Sequence, residues 1–222
     1  MALRFLCGSG SPYAWRVWLA LEHKALPYEL KMMSFTSGDL ATPEYTEINP
    51  RRKVPAIVDD GFALYESAAI LDYLEDAYPG TGRPLYPAQA QPRARARRLV
   101  READQYLAFA LEQMVAEILF KPASEWNPEV IAEGRAIFGI EVTHFEHELT
   151  GEFFAGAAGA VDFTVYPLLR LALRMEETTK PNLAISEAIA PNLAAWMRRV
   201  EALPYFDRTF PPHWRERSAE SA

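Results

Sequence analysis

The sequence VPAIVDDGFALYE, from Val54 to Glu66, contains two short apolar runs. Apolar residues dominate Val54–Asp59 and Phe62–Tyr65, and each run has the length of a short strand. Asp60-Gly61 separates the two runs, and glycine accepts the positive φ that a tight hairpin turn requires. The pattern therefore predicts two antiparallel strands joined by a short turn.

The chain before this hairpin is predicted to form a strand, a helix and a second strand. Leu3–Cys7 is short and apolar, which is typical of a buried strand. One helix face is then indicated by the spacing of Ala14, Val17, Trp18 and Leu21. A half-buried strand is indicated by the alternation of Tyr28, Leu30 and Met32 with charged residues. A β-α-β opening favours a right-handed crossover and a parallel strand pair.

The hairpin is followed by a helix that Ser67 is predicted to cap and that ends before Pro79. Its inner face is predicted to carry Ile70, Leu71 and Leu74. Residues 1–79 thus read β-α-β-(α)-β-β-α, which is a thioredoxin-like arrangement.

The composition changes at residues 80–92, GTGRPLYPAQAQP, which are rich in proline and glycine and indicate a linker. Helical periodicity follows in Arg93–Ser124, Glu129–Thr150, Val161–Glu176 and Pro191–Leu203. The predicted fold class is α+β. A thioredoxin-like α/β domain at residues 1–79 and the linker at 80–92 precede an all-helical domain at 93–222.

Composition excludes several classes of function. The net charge is −7, and residues 1–79 hold 7 Lys/Arg against 11 Asp/Glu, so neither half has the basic surplus of a nucleic-acid-binding protein. Signal-peptide and membrane-span patterns are absent from the sequence, which predicts a cytoplasmic protein without a membrane partner. The single cysteine, Cys7, excludes an internal disulfide and is predicted to be buried. His144 and His147 are three residues apart, but we predict a solvated helix face there and no metal.

Four stretches of the chain resemble the cytosolic glutathione transferases: SPYAWRV at 11–17, NPRRKVPAIVDD at 49–60, LYESAAILDYLEDAYP at 64–79 and AVDFTVYPLL at 160–169. The resemblance covers nearly the whole chain. It implies an enzyme of detoxification that acts as a homodimer. Glutathione is its co-substrate, and the glutathione thiolate attacks a small, largely apolar electrophile.

The turn before the first helix reads Ser11-Pro12-Tyr13-Ala14, which resembles the Cys-Pro-Tyr-Cys motif of glutaredoxins with both sulfurs removed. Dithiol exchange is therefore excluded. A hydroxyl donor at a helix N-terminus favours a bound thiolate, and a pKa lowered by ~2 units corresponds to about 2.7 kcal/mol. The resemblance implies that Ser11 is this donor. Ser9 and Tyr13 are alternative hydroxyls, and a plain helix cap is the alternative role of Ser11.

The resemblance also implies which residues bind glutathione. Val54-Pro55 corresponds to a cis-proline turn whose backbone pairs with the cysteinyl residue, although an ordinary trans proline is the alternative. Ser67 and the helix amides hold the γ-glutamyl carboxylate, and Glu66 holds its amino group. Lys53 pairs with the glycyl carboxylate. Without the family, Ser67 is a simple helix cap and Glu66 a charge that is favourable at a helix start.

A pocket for the second substrate is expected between the domains, with Tyr13, Tyr106 or Phe109 lining it. The C-terminal segment either closes over this pocket or packs on its own domain through Phe206, Phe210 and Trp214. Asp162 resembles the aspartate of the family's helix-capping box, with a structural role. Gly159 stands where the family has serine or threonine, so this helix start is expected to be less firmly fixed.

Two other functions remain open from the sequence. A glutathione-dependent cis-trans isomerase of a maleyl-type acid, as in the zeta class, is one, although the Ser-Ser-Cys signature of that class is replaced by Ser11-Pro12-Tyr13. A non-enzymatic binding or regulatory protein with the same fold is the other.

Overall fold

The computed structural model describes residues 3–179 and 183–219. The chain forms two compact units: the part up to Pro87 together with the part from Leu203 onward, and Ala88–Ala202. The described residues from Leu203 onward therefore group with the α/β unit, whereas the sequence analysis assigned them to the helical domain.

The α/β unit contains a mixed four-stranded sheet in the order β2-β1-β3-β4. The strands are β1 (Leu3–Cys7), β2 (Tyr28–Met32), β3 (Ala56–Asp59) and β4 (Phe62–Tyr65). β1 pairs with β2 in parallel and with β3 antiparallel, and β3 pairs antiparallel with β4. The helices of this region are α1 (Pro12–His23), α2 (Pro43–Ile48) and α3 (Ser67–Ala77). The predicted thioredoxin-like arrangement is confirmed, and β3 begins two residues later than predicted because its ladder starts at Ala56.

Strand β2 is more exposed than its alternating pattern predicts. Leu30 and Met32 expose 38% and 41% of their surface. The reason is its place at the edge of the sheet, where only β1 pairs with it. In contrast, Phe5 in β1 and Ile57 in β3 are completely buried, so the core of this unit lies around the two central strands.

The second unit is helical. Its helices are α4 (Ala90–Glu102), α5 (Ala108–Ile118), α6 (Pro128–Glu148), α7 (Ala160–Thr179), α8 (Ile185–Ala188) and α9 (Pro191–Glu201). The single long segment predicted from Arg93 is interrupted by a π-helical stretch at Ala103–Leu107. In the part of the chain that is described, every helix is too short or too polar to cross a bilayer.

The start of α7 is anchored by Asp162, which is fully buried. Its carboxylate accepts hydrogen bonds from Trp196 Nε1 at 2.7 Å, from Phe154 N at 3.3 Å and from Gly159 N at 3.0 Å. Burial raises the pKa of Asp162 to about 6. The structural role expected for Asp162 therefore holds, but the helix start is firmly fixed, because the aspartate binds the Gly159 backbone directly.

Beyond Leu203, the chain forms α10 (Phe206–Thr209) and α11 (Pro212–Ala219), and these helices pack around Trp15 of α1. The indole Nε1 of Trp15 donates to Thr209 Oγ1 at 3.0 Å. Its ring meets three aromatic rings at centroid distances of 5.5–5.9 Å, those of Phe206, Phe210 and Trp214. The aromatic residues of the tail thus pack on the first helix, which is neither of the two expectations from the sequence.

Candidate functional site

The strand register brings three turns together at the same end of strands β1, β3 and β4. Leu6 near the end of β1 pairs with Ala56 at the start of β3, and Ala56 pairs with Tyr65 at the end of β4. The segments that follow or precede these residues therefore emerge side by side. They are the turn at residues 8–11, the Val54-Pro55 dipeptide and the Glu66-Ser67 dipeptide, which the sequence analysis had selected separately.

The first turn lies directly against the second. A Cβ added to Gly8 would come within 2.6 Å of side-chain carbons of both Val54 and Phe35. Because real Cβ atoms essentially never approach so closely, only glycine allows this contact without displacement of the neighbours. The turn that carries Ser11 therefore packs directly against the Val54 side chain.

Ser11 is the N-cap of α1. Its hydroxyl accepts a hydrogen bond from Ala14 N at 3.3 Å, and its own backbone N–H donates to Gly8 O at 3.1 Å. A serine hydroxyl has one proton and two acceptor lone pairs, so capping leaves the proton for another acceptor. The capping role and the donor role of Ser11 are therefore chemically compatible.

Val54-Pro55 is a cis peptide bond, as the resemblance implies. The residue before it, Lys53, has a tightly held backbone and an exposed side chain. Its carbonyl oxygen accepts from Tyr45 OH at 2.6 Å and from Asn49 Nδ2 at 2.7 Å. Tyr45 and Asn49 were missed as supporting residues; Asn49 belongs to the NPRRKVPAIVDD stretch, but its contact with Lys53 is not visible in a sequence.

The third turn begins α3, and the predicted cap is corrected by one residue. Glu66 is the N-cap, with φ 69° and no hydrogen bond from its side chain to the helix start, and Ser67 is the first helical residue. Glu66 is exposed, whereas Ser67 is 7% exposed. A positive φ is strained for glutamate, and a helix start that its cap side chain leaves open presents amides to an anion.

The remaining hydroxyls of the first turn differ in their surroundings. Tyr13 is half-buried on α1, with the Arg16 guanidinium 5.5 Å from its ring centroid. Ser9 Oγ lies 2.6 Å from Nδ1 of His213 on α11. No local sequence signal predicts a role for His213, because 204 residues separate it from Ser9.

The other residues selected from the sequence are a cysteine in the core of the α/β unit and two aromatic residues of the helical unit. Cys7 is buried, and burial raises the pKa of its thiol to about 12, so it is not a reactive thiolate. Tyr106 and Phe109 belong to the helical unit, where they expose 48% and 55% of their surface. They present aromatic area outside the packed core of that unit.

The three turns together offer a distinct set of groups to a ligand. The start of α3 presents amides that its cap side chain leaves open, Ser11 presents a hydroxyl proton, and the cis Val54-Pro55 peptide lies beside the turn that carries Ser11. Lys53 supplies an exposed cation and Glu66 an exposed anion at the margins. Such a set suits a small peptide with carboxylates at its ends, an amino group and a central anion.

Comparison with known proteins agrees with this geometry. The family described as "Glutathione S-transferase, N-terminal domain" matches residues 10–77, which include all three turns from Gly10 onward. The "Probable maleylacetoacetate isomerase 2" of Drosophila melanogaster is 30% identical over 202 residues, which are 82% of this chain and 85% of that protein. "Glutathione S-transferase A" of Pleuronectes platessa is 27% identical over 96% of this chain and 93% of its own length.

A solved structure with the same fold is a glutathione transferase from Burkholderia graminis, which holds two glutathione molecules per subunit. Its TM-score is 0.81 and its identity 27%, over 94% of this chain and 87% of that one.

Proposed function

Since the chain belongs to the glutathione S-transferase family, we propose that it binds reduced glutathione and transfers the thiolate to a small, largely apolar electrophile. The observation that carries the proposal is that three turns meet at the same end of strands β1, β3 and β4. This follows from the pairing of Ala56 with both Leu6 and Tyr65. Each turn matches one part of the tripeptide.

In this proposal the cysteinyl residue of glutathione pairs with the Val54 backbone beside Pro55 as a short antiparallel strand. The γ-glutamyl carboxylate binds the open start of α3 at Ser67, and Glu66 binds the amino group. Lys53 pairs with the glycyl carboxylate. These contacts place the thiol toward the start of α1.

The reaction then depends on the charge of the sulfur. A free thiol with a pKa of ~8.5 is only a few per cent thiolate at neutral pH. We assign Ser11 as the catalytic residue: its hydroxyl proton donates to the thiolate, and the positive end of α1 adds to the stabilisation. The thiolate attacks the electrophile, the new carbon–sulfur bond forms, and the leaving group departs with its electron pair. Tyr106 and Phe109 are the proposed apolar contacts of the electrophile, because their rings are exposed.

Ultraviolet difference spectroscopy of bound glutathione across pH tests this function. We expect thiolate at neutral pH in the parent protein, and in Ser11→Ala a titration about 2 units higher with binding retained. Ser124→Ala, an exposed serine in the helical unit, is the matched control and should titrate like the parent. Glutathione bound as the neutral thiol in both proteins would contradict the proposed mechanism.

The second candidate function is isomerisation of a maleyl-type acid, in which glutathione adds to the double bond and is later expelled. The observation that favours it is the 30% identity to a probable maleylacetoacetate isomerase. Turnover of an aryl halide against turnover of a maleyl substrate separates conjugation from isomerisation. If the protein turns over neither substrate and is not retained on immobilised glutathione, it is instead a binding or regulatory protein.

The family also supports a proposal about assembly and location: a homodimer that acts in the cytoplasm in detoxification. Light scattering of the purified chain tests the dimer, with a mass of about 25 kDa contradicting it and twice that mass supporting it.

A further inference from the structure

The C-terminal helix α11 makes a direct contact with the turn that carries Ser11. Ser9 Oγ lies 2.6 Å from His213 Nδ1, which is the distance of a strong hydrogen bond. A Cβ added to Gly10 would lie 2.8 Å from His213 Cε1 and 3.2 Å from Trp214 Nε1. The imidazole therefore lies both beside the Ser9 hydroxyl and against the backbone of the next residue.

The His213 side chain is exposed, but its neighbours in the tail are packed against α1. Trp214, the next residue, is 4% exposed, and its ring meets Trp15 edge-on at 5.5 Å. Thr209 is completely buried and accepts from Trp15 Nε1. Because Trp15 is in the first turns of α1, the tail and the start of that helix form one packed cluster that carries His213.

The two serines of the turn differ in what is left of their hydrogen-bonding capacity. Ser11 accepts from Ala14 N, which uses a lone pair and leaves its proton. Ser9 has one proton as well, and His213 Nδ1, 2.6 Å away, accepts it in the tautomer whose ring proton is on Nε2. A hydroxyl whose only proton is directed to His213 has none to give to a thiolate.

We propose that Ser9 donates its hydroxyl proton to His213 Nδ1, and that this pair is a positioning device which holds the turn while Ser11 serves as the thiolate donor. The proposal deepens the function given above and rests on it. It assigns Ser9 and His213 the same role: neither touches the sulfur, and each acts through the backbone of Gly10 and Ser11.

The first test needs no glutathione. Nitrogen-15 NMR of the full chain at mildly alkaline pH, where histidine is ordinarily neutral, reports which ring nitrogen of His213 carries the proton. His213→Asn assigns the signal by its loss. We expect an unprotonated, hydrogen-bonded Nδ1 that shifts in Ser9→Ala. A protonated Nδ1, or a signal that Ser9→Ala leaves in place, would overturn the proposal.

The second test measures the thiolate. Ser9→Ala and His213→Leu should each lower the acid dissociation constant of the bound thiol by about threefold to tenfold, the effect of one hydrogen bond. The double variant should match either single variant, because both remove the same contact. His213→Asn, which keeps a polar atom near the Nδ1 position, should recover most of the loss. His147→Asn, at an exposed histidine of α6, should change nothing.

The outcomes separate this proposal from the proposed function. If the parent protein forms thiolate and Ser9→Ala and His213→Leu form as much of it, the positioning role is overturned and the proposed function stands. Additive losses in the double variant, or a loss in Ser9→Ala as large as that in Ser11→Ala, would also overturn it, since Ser9 would then act on the sulfur itself. Parent protein that binds no glutathione would overturn the proposed function, whatever the NMR result for His213.

Discussion

The starts of α7 and α3 are built in opposite ways. At α7 the buried Asp162 accepts from Trp196 Nε1 and from two backbone N–H groups, so the protein itself supplies the anion at this helix start. At α3 the side chain of Glu66 is exposed and makes no capping bond. The cap residue of α3 is also strained, with φ 69°.

The two arrangements distinguish a structural helix start from one that binds a ligand. A helix start whose anion is a buried, fully bonded side chain contributes to folding, because its donors would otherwise be unsatisfied. The start of α3 has a strained cap residue and a buried serine but no side-chain anion bound to it. Such a helix start contributes little to folding and can accept a ligand carboxylate. Stability and glutathione binding should therefore respond to different substitutions.

The largest effect on stability is expected at the start of α7, where Asp162 is the buried anion. Asp162→Ala removes the acceptor of three donors in a fully buried site and should lower the free energy of unfolding by about 4 kcal/mol. Chemical denaturation measures the loss. Glu133→Ala, at an exposed position in α6, is the control and should stay within about 0.5 kcal/mol of the parent. A loss below about 1 kcal/mol at Asp162 would mean that its bonds do not hold the helix start.

A second large effect is expected in acid, from His23 at the end of α1. Burial lowers the pKa of this histidine to about 4, and its Nδ1 lies 2.6 Å from Tyr205 OH. A histidine that stays neutral when folded binds fewer protons than when unfolded, so its stabilisation is complete above pH 6.5 and is lost as pH falls toward 4. The advantage of the parent over His23→Asn should shrink by about 3 kcal/mol in that range.

Denaturation at a series of pH values measures this change, with His147→Asn as the exposed control. Asp162 works in the opposite sense. Its raised pKa means that its contribution is complete below 3.8 and declines as pH rises through about 6. Comparison of each variant with the parent isolates the two groups, and an advantage over His23→Asn that does not depend on pH would contradict a neutral buried imidazole.

The sequence predicted the elements of the site because local signals specify them. Asp60-Gly61 specifies a hairpin and Ser11-Pro12 a helix start, and the resemblance specified the cis bond at Pro55. The exact cap of α3 was missed by one residue, since Ser67 is the better capping residue by type but Glu66 has the cap position in the chain. Tertiary position overrides residue preference there.

Contacts across long sequence separations could not be predicted in the same way. The tail carries aromatic residues whose partners are equally consistent with several surfaces, and only the folded chain selects Trp15. The hydrogen bond between Ser9 and His213 depends on that choice. Gly159 illustrates the same limit: its missing side chain suggested a weak helix start, but the Asp162 carboxylate accepts from the Gly159 backbone N–H and fixes that start.

The smallest effect on stability is expected at Glu66. This prediction tests most directly whether the start of α3 is a binding site. Glu66→Gly relieves a positive φ and should leave the free energy of unfolding unchanged or raise it by up to about 1 kcal/mol. The same change removes the carboxylate proposed to bind the amino group of glutathione, so affinity measured by calorimetry should fall about tenfold. Ala184→Gly is the matched control, because Ala184 has φ 48° in the helical unit and should gain stability without any change in affinity. If Glu66→Gly destabilises the chain and keeps its affinity, the α3 start is a structural cap like that of α7, and the distinction between the two helix starts fails.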